Sequence, residues 1–399
     1  MNFELNQRQL MDISNELKIK VQAGLQAQDT EIKCLPTYIP VPQSLINNEN
    51  VYVLDLGGSN VRAALVSFHD QQLVFKKELI ESPMPWERNK PLKKEIYLGI
   101  QSSLLESLGY PDCCPLGYCF SYPAESTPEG DAILKEWTKE IVVPGVVGQQ
   151  LGSMLLNHIS KFHQGMHCSK ITVLNDTVAS LLAGLTLPKV DACIGLIVGT
   201  GTNMATLINA DDVPKIPGEL HWKGLIPVNL ESGGFSPPHL TQWDQEVDDH
   251  SEDVGKQRFE KAVSGAYLGR LFKAVFPESD FVPNSGAKGL VSLLNASRDR
   301  EHPHSVTAFQ IYTRSAKLVA ASLAGLIKLL NGLNRTKTVR IVAEGSLFWG
   351  TVYGDQLFLK MTKATLDSIL AESGLSDITV EFAKIENANL VGTALAALA

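Results

Sequence analysis

Residues 51–66 read VYVLDLGGSNVRAALV. A single carboxylate, Asp55, stands just before the turn Gly57-Gly58-Ser59-Asn60, and Arg62 follows close behind. Apolar runs around a Gly-Gly break describe a buried hairpin, but a buried strand has no packing reason to end in aspartate. Glycine lets backbone N–H groups converge and lets an anion approach without meeting a Cβ, and phosphate is the usual guest. Mg²⁺ favours one or two carboxylates together with phosphate oxygens and water, so Asp55 is the expected metal contact, partly through water.

The same form returns about 140 residues later, a spacing suited to two similar domains rather than a solenoid. There GLIVGTGTNMATLI runs from apolar strand through a glycine turn to apolar strand, and Gly201-Thr202-Asn203 echoes Gly58-Ser59-Asn60. Gly199, Thr200 and Gly201 facing Asp55, Gly57, Gly58 and Ser59 across a cleft would make a two-sided clamp for a Mg-nucleotide, with Ser59, Thr200 and Thr202 adding hydroxyls. A third turn, Glu344-Gly345-Ser346 after VRIVA, could cradle the adenosine end. Other phosphate motifs fail: there is no G-x-x-x-x-G-K-[ST], GTGTNM lacks the third dinucleotide glycine, and the H-R-D and D-F-G kinase elements are absent.

The elements that must position these turns alternate between strand and helix, which indicates an α/β chain. Strands are expected at VYVLDL, AALVSF, PLGYCFSY, ITVLND, ACIGLIVG, MATLIN, VRIVAEG and ITVEFA. Helices are expected over 145–163, 176–186, 255–275 and 305–334, and an N-terminal surface helix carries Leu10, Ile13, Leu17 and Val21 on one stripe. The 399 residues are 44% hydrophobic and 20% charged, ordinary for two domains of about 150–200 residues. A net charge of -8 argues against nonspecific nucleic-acid or anionic-membrane binding. No run approaches the ~18 apolar residues of a spanning helix, so no membrane role is expected. The polar N-terminus is unlike a signal peptide, and the six cysteines show no ligand spacing; a cytoplasmic protein with reduced core thiols is the expectation.

In order along nearly the whole chain, the motifs resemble those of the hexokinase family of sugar kinases, within the actin-like ATPase superfamily. LDLGGSNVR resembles the family's first phosphate motif and GLIVGTGTN its second. LGYCFSYP with LKEWTKE resembles the sugar-binding signature, VLNDTVASLLAG the segment of the catalytic aspartate, and NLESGGF with GKQRFEKAVSGAYLG the segment of two sugar-binding glutamates.

The resemblance implies a two-domain, ribonuclease H-like α/β fold with mixed sheets flanked by helices and a cleft between domains. The small domain would be 48–175 plus 383–399, and the large domain 1–47 plus 176–382. It implies ATP as co-substrate with Mg²⁺, and transfer of the γ-phosphate to a hexose 6-hydroxyl. Asp176 matches the general base, with Lys139 reaching toward the transferring phosphate. Thr138, Lys139, Asn175, Asn203, Glu231 and Glu260 match sugar contacts, and Ser121 lies beside the pocket. Asp55, Gly57, Gly58, Ser59 and Asn60 match one side of the phosphate site, Gly199, Thr200 and Gly201 the other, and Gly345 and Ser346 the adenosine motif, where the family commonly has Asp in place of Glu344.

A ring of hydroxyls calls for side chains that accept and donate in pairs, which two glutamates, two asparagines and a threonine supply. Closure of the cleft on sugar would exclude competing water, with hinges before Tyr52, around Asn175-Asp176 and before the last helix. Departures cluster near the sugar: Ala124-Glu125-Ser126 where relatives often carry glutamine, Ser232-Gly233-Gly234 for Trp-Gly-Ala, and Glu140 for Gly. They leave the preferred hexose open among glucose, mannose, fructose and an amino sugar, and the state open between monomer and homodimer. The alternative reading is a catalytically weak sugar-sensing regulatory protein of the same fold. The cysteine-rich zinc motif of the ROK sugar kinases is absent.

Overall fold

The computed structural model describes residues 3–42, 48–58, 60–87, 90–109, 113–137, 141–163, 165–297 and 299–399. Ser59, Thr138, Lys139 and Glu140 therefore lie outside the described residues.

Two mixed sheets share one plan. In the first, β1 (Val51–Leu56), β2 (Asn60–His69) and β3 (Gln72–Phe75) form an antiparallel meander, and β4 (Cys114–Phe120) and β5 (Cys168–Leu174) run parallel to β1, in the order β3-β2-β1-β4-β5. In the second, β6 (Ala192–Val198), β7 (Thr202–Asn209) and β8 (Leu225–Asn229) form the meander, and β9 (Thr338–Glu344) and β10 (Thr379–Ala383) run parallel to β6, in the order β8-β7-β6-β9-β10. A short strand, Leu35–Pro36, adds to the β8 edge. The echo between the two glycine turns is thus an echo of whole sheets. β1 and β4 are buried at every residue, as continuous apolar runs in central parallel strands should be.

Helix α1 (Gln7–Gln26) opens on a capping box between Asn6 and Gln9 and buries Leu10, Ile13, Leu17 and Val21, the stripe expected from the sequence. It packs against α4 (Pro303–Asn334), where a Cβ on Gly325 would meet the Ser14 carbonyl at 2.4 Å. By length and composition α4 could cross a membrane, which corrects the expectation that no such segment exists; in the fold its most apolar stretch is mostly buried. The cysteine expectation also needs amending. Cys34, Cys114, Cys119 and Cys193 are buried, but Cys113 is exposed.

Two expected helices are shortened for local reasons. The 145–163 segment becomes helical only at Leu151–Phe162, because Gly145 and Gly148 adopt positive φ; the buried Asp131 carboxylate then accepts from the Gly152 and Ser153 amides. The 255–275 segment splits into α3 (Arg258–Val263) and Leu268–Val275, because Gly265 N–H donates to the Gly199 carbonyl, 2.7 Å away.

Between the sheets lie α2 (Asp176–Ala183) and α5 (Ala388–Leu398). One apolar layer joins Val53 and Val66 of the first sheet, Val178 and Leu182 of α2, Ala394 and Leu398 of α5, and Ala205 and Val342 of the second sheet. The two helices touch backbone to backbone: a Cβ on Gly392 would lie 1.8 Å from the Ala179 carbonyl. Gly392→Ala must therefore push α5 off α2, with an expected cost of about 1–3 kcal/mol by analogy with overpacked cores. Denaturant unfolding reads this directly, and an unchanged midpoint would show that the contact is slack.

Candidate active site

The site sits at the carboxyl ends of the parallel strands, where open α/β sheets bind ligands. In the first sheet Asp55, Cys119 and Leu174 are neighbours across β1, β4 and β5. The chain leaves β5 into Asn175, which caps α2 by accepting the Thr177 amide at 2.9 Å, and Asp176 opens the helix. Burial, followed by the nearby Asp55 and Asp176 carboxylates, holds the Cys119 thiol well above its usual range, so the charge of each acid reaches this strand end.

Asp55 is buried and faces Arg62 across the β1–β2 hairpin. Arg62 Nε donates to Asp55 Oδ2 at 3.1 Å, and Nη2 donates to the same oxygen. Oδ1 is buried and takes no N–H or O–H donor among the described residues, with the Cys119 thiol, a weak donor, beside the carboxylate. A spare buried carboxylate oxygen beside a glycine turn fits a Mg²⁺ ion that binds through one carboxylate and water. The turn is braced from below, since Gly57 N–H donates to the Asn60 carbonyl at 3.0 Å and the Tyr122 hydroxyl to the Gly57 carbonyl at 3.3 Å. Asn60 itself turns outward and donates to Glu81.

The second glycine loop is locked to three other segments. Gly199 N–H donates to the Gly201 carbonyl at 2.9 Å, and Gly265 and Ala266 donate to the Gly199 and Thr200 carbonyls. Thr202 N–H donates to Glu260 Oε2 at 3.0 Å, and a Cβ on Gly201 would crowd that oxygen at 2.6 Å. The Thr202 hydroxyl donates to the Ile197 carbonyl, so it is a brace and not the phosphate donor expected from the sequence; Thr200 is exposed at the tip. Gly345, at φ +112°, lies so close that a Cβ would meet the Val198 carbonyl at 2.2 Å. This brings the Gly345-Ser346 turn against the Gly199 loop, with Ser346 exposed.

The polar groups expected for sugar form one network. Asn203 Nδ2 donates to Asn229 Oδ1 at 2.8 Å, and Asn229 Nδ2 donates to Glu231 Oε1 at 2.7 Å. Asn203 Oδ1 accepts from the Met204 and Ser232 amides. Glu231 holds a left-handed backbone, φ 56°. Burial pushes its carboxyl up; the Asn229 donor and Lys33 pull it down, and Asp176 and Glu136 push it further up. Asp176, which opens α2 after the first sheet, and Glu231, which follows β8 of the second, are thus near enough for the one charge to act on the other. A small cavity is lined by Asn175, Asn229, Thr37, Tyr122, Ala124 and Ser126, so the short Ala124-Glu125-Ser126 substitution borders it. Ser121 is half-buried beside it, its N–H donating to the Leu56 carbonyl.

The structure thus brings Asp55, Gly57, Asn175, Asp176, Gly199, Thr200, Gly201, Asn203, Glu231, Glu260, Gly345 and Ser346 to the facing ends of the two sheets, with Gly58 exposed in its turn. Asn229, Arg62 and Tyr122 were missed as participants. Counting outward from the Gly-Gly turn would have paired Asp55 with Arg62, an opposite-charge cross-strand pair. Asn229 could have been suspected as a polar residue ending an apolar strand.

Glu344 ends β9 and is pushed up to about 7, chiefly by burial; Lys384 and Arg62 oppose the shift and Asp55 adds to it. The folded form therefore holds a proton that the unfolded chain releases near its ordinary carboxylate value of 4.5. Stability from this group is fully present below about 4.5 and is lost as pH rises through about 7. Glu344→Gln should remove that decline; denaturant midpoints of both proteins from pH 4.5 to 8 that run parallel would contradict it.

Hexokinase family models match residues 1–186, and 193–279 with 287–399. Hexokinase-9 of Oryza sativa is 29% identical over 279 residues, 67% of this chain and 55% of that protein, so the match spans little more than half of that relative. Hexokinase-7 of the same species is 27% identical over 430 residues, 95% of this chain and 91% of that protein. The solved structure of a Schistosoma mansoni hexokinase complexed with glucose superposes with a TM-score of 0.79 at 23% identity, covering 100% of this chain and 96% of that one. With its paired mixed sheets and both halves matched, the chain belongs to the hexokinase family.

Proposed function

We propose that this chain is an ATP-dependent hexokinase that transfers the γ-phosphate of Mg-ATP to the 6-hydroxyl of a hexose, glucose first among the candidates. The reading is supported by the glycine turn at the end of the leading hairpin in each sheet, with Asp176 close enough for its charge to act on Glu231. Domains of 48–175 plus 383–399, and of 1–47 plus 176–382, are part of the same proposal.

In this reading Asn203, Glu231 and Glu260 bind ring hydroxyls, and Asn175, whose Oδ1 is engaged in capping α2, offers its Nδ2. Asp176 accepts the proton of the 6-hydroxyl as that oxygen attacks the γ-phosphorus and the bond to the leaving ADP oxygen breaks. The tips of the Gly57–Asn60 and Gly199–Gly201 turns border the phosphates, with the Gly57 and Gly199 N–H groups bracing the turns themselves, and the Gly345-Ser346 turn borders adenosine. Asp55 Oδ1 would hold Mg²⁺ directly or through water, and the ion supplies charge neutralisation on phosphate oxygens when bound. Lys139 is assigned to the transferring phosphate on sequence alone.

An ADP-coupled assay over glucose, mannose, fructose and glucosamine tests the reading. Asp176→Ala should lower kcat by about 10²–10⁴-fold, the usual worth of a positioned base, with sugar affinity largely kept. Unchanged turnover would remove Asp176 from the role, and sugar binding without turnover by the parent protein would favour the regulatory alternative. Closure on sugar should also reduce the radius of gyration in solution scattering; superimposable curves with and without hexose would count against it.

A further inference from the structure

We propose that Asn229 is a positioning residue for sugar recognition, acting through the carboxylate of Glu231; the inference rests on the hexokinase reading above. Asn229 ends β8 and is almost fully buried, paired in the sheet with Ala205 on one side and Leu35 on the other. Its amide is used at both ends. Oδ1 accepts from Asn203 Nδ2 at 2.8 Å, and Nδ2 donates to Glu231 Oε1 at 2.7 Å. Asn203 is itself fixed, because its Oδ1 takes two backbone amides, Met204 at 2.8 Å and Ser232 at 3.1 Å. The polarity of the whole relay is therefore set by backbone N–H groups, and only one orientation of each amide satisfies it.

Glu231 needs this support for two reasons. Its backbone is left-handed at φ 56°, a conformation that a non-glycine residue keeps only when its surroundings impose it. The charges of Asp176 on α2 and Glu136 after Ala132–Leu134 also push its carboxyl up, and among the described residues Lys33, on the chain before the Leu35–Pro36 strand, pulls it down. Asn229 is the neutral donor that favours the charged form of this carboxylate and aims it, leaving Oε2 for a sugar hydroxyl. Protonation turns one of the carboxylate's acceptor oxygens into a donor and weakens the other as an acceptor, and rotation carries both away from the sugar.

The test uses the full chain, with glucose as the probe. Asn229→Ala removes the donor, and Asn229→Asp keeps the shape while replacing the donor with a negative charge. Expected for both is a rise of at least about tenfold in the glucose dissociation constant by calorimetry, with kcat changed less than about threefold and the KM for ATP unchanged, the signature of lost ground-state binding. The isosteric Asp variant should bind glucose more weakly than the Ala variant, because it repels Glu231; a role in strand packing alone predicts the reverse order. In Asn229→Ala the acid limb of glucose binding should move to higher pH, since the Glu231 carboxyl loses a hydrogen bond to its charged form. Thermal unfolding of both variants identifies any that fail to fold, and the Ala variant, which buries no new charge, is the one expected to keep the fold. A parent enzyme that phosphorylates glucose, with variants that bind it normally or with Ala weaker than Asp, overturns the role of Asn229. A parent that binds no hexose overturns the functional reading and this inference together.

Discussion

The apolar layer between the two sheets is the constraint on which the site depends. Valines of β1 and β2, residues of α2 and α5, and Ala205 and Val342 of the second sheet form one cluster. Its centre is the contact of Gly392 with the Ala179 carbonyl, closer than any side chain would allow. Because α2 begins at Asp176, the packing that seats this helix also sets where the carboxylate stands. Gly117 repeats the device one strand away, since a Cβ there would meet the Thr393 carbonyl at 2.6 Å. A helix that approaches strand and helix through glycine has few alternative seats, so the strand ends of the first sheet and the start of α2 hold a fixed relation.

The second glycine loop works by a different means. Its carbonyls accept from Gly265 and Ala266, its last amide donates to Glu260, and Gly345 rests on its base. Segments near positions 200, 260 and 345 thus form one hydrogen-bonded unit. Glu260 is tied into it from the other side as well: α3 is anchored by buried Lys261, which pairs with Asp248 at 2.7 Å, and by Arg258 on the same carboxylate. Removing one partner of such a buried pair leaves an uncompensated charge, so the anchor tolerates little change. A group assigned to sugar and a loop assigned to phosphate therefore cannot move independently, which links the two substrates through a few backbone bonds.

Much of this was legible in the sequence, for definite reasons. Eight strand segments were readable because most are nearly continuous apolar runs, and the hairpin turns were punctuated by glycine. The edge strands Gln72–Phe75 and Ile80–Pro83 escaped notice because they are short and partly exposed, with no strong alternation. The split between α3 and Leu268–Val275 was invisible because its cause, the bond from Gly265 to Gly199, spans 66 residues. Thr202 looked like a phosphate ligand, since a hydroxyl beside glycine usually faces outward; only the coordinates show it donating to Ile197. Asn229 belonged to no recognised motif, and its meaning lies in two partners, one of them a strand away.

The remaining question is why so many acids are tolerated around one cleft. Asp55, Asp176, Glu231, Glu260 and Glu344 converge there, and at two of them desolvation shows: the Glu231 and Glu344 carboxyls are both pushed up. Asp55 has an ion-pair partner, Arg62, across the hairpin. That pair uses only Oδ2. Had the fold required charge neutrality alone, a bidentate pairing of Arg62 with both oxygens would have been the stronger solution, as Arg314 and Asp244 achieve in the core at 2.7 and 2.6 Å. The same chain contains both arrangements, so the single-oxygen pairing at Asp55 is not a limit of what the sequence can build. Leaving Oδ1 buried and open costs stability, and under the proposed function that cost is offset when the nucleotide's metal ion arrives.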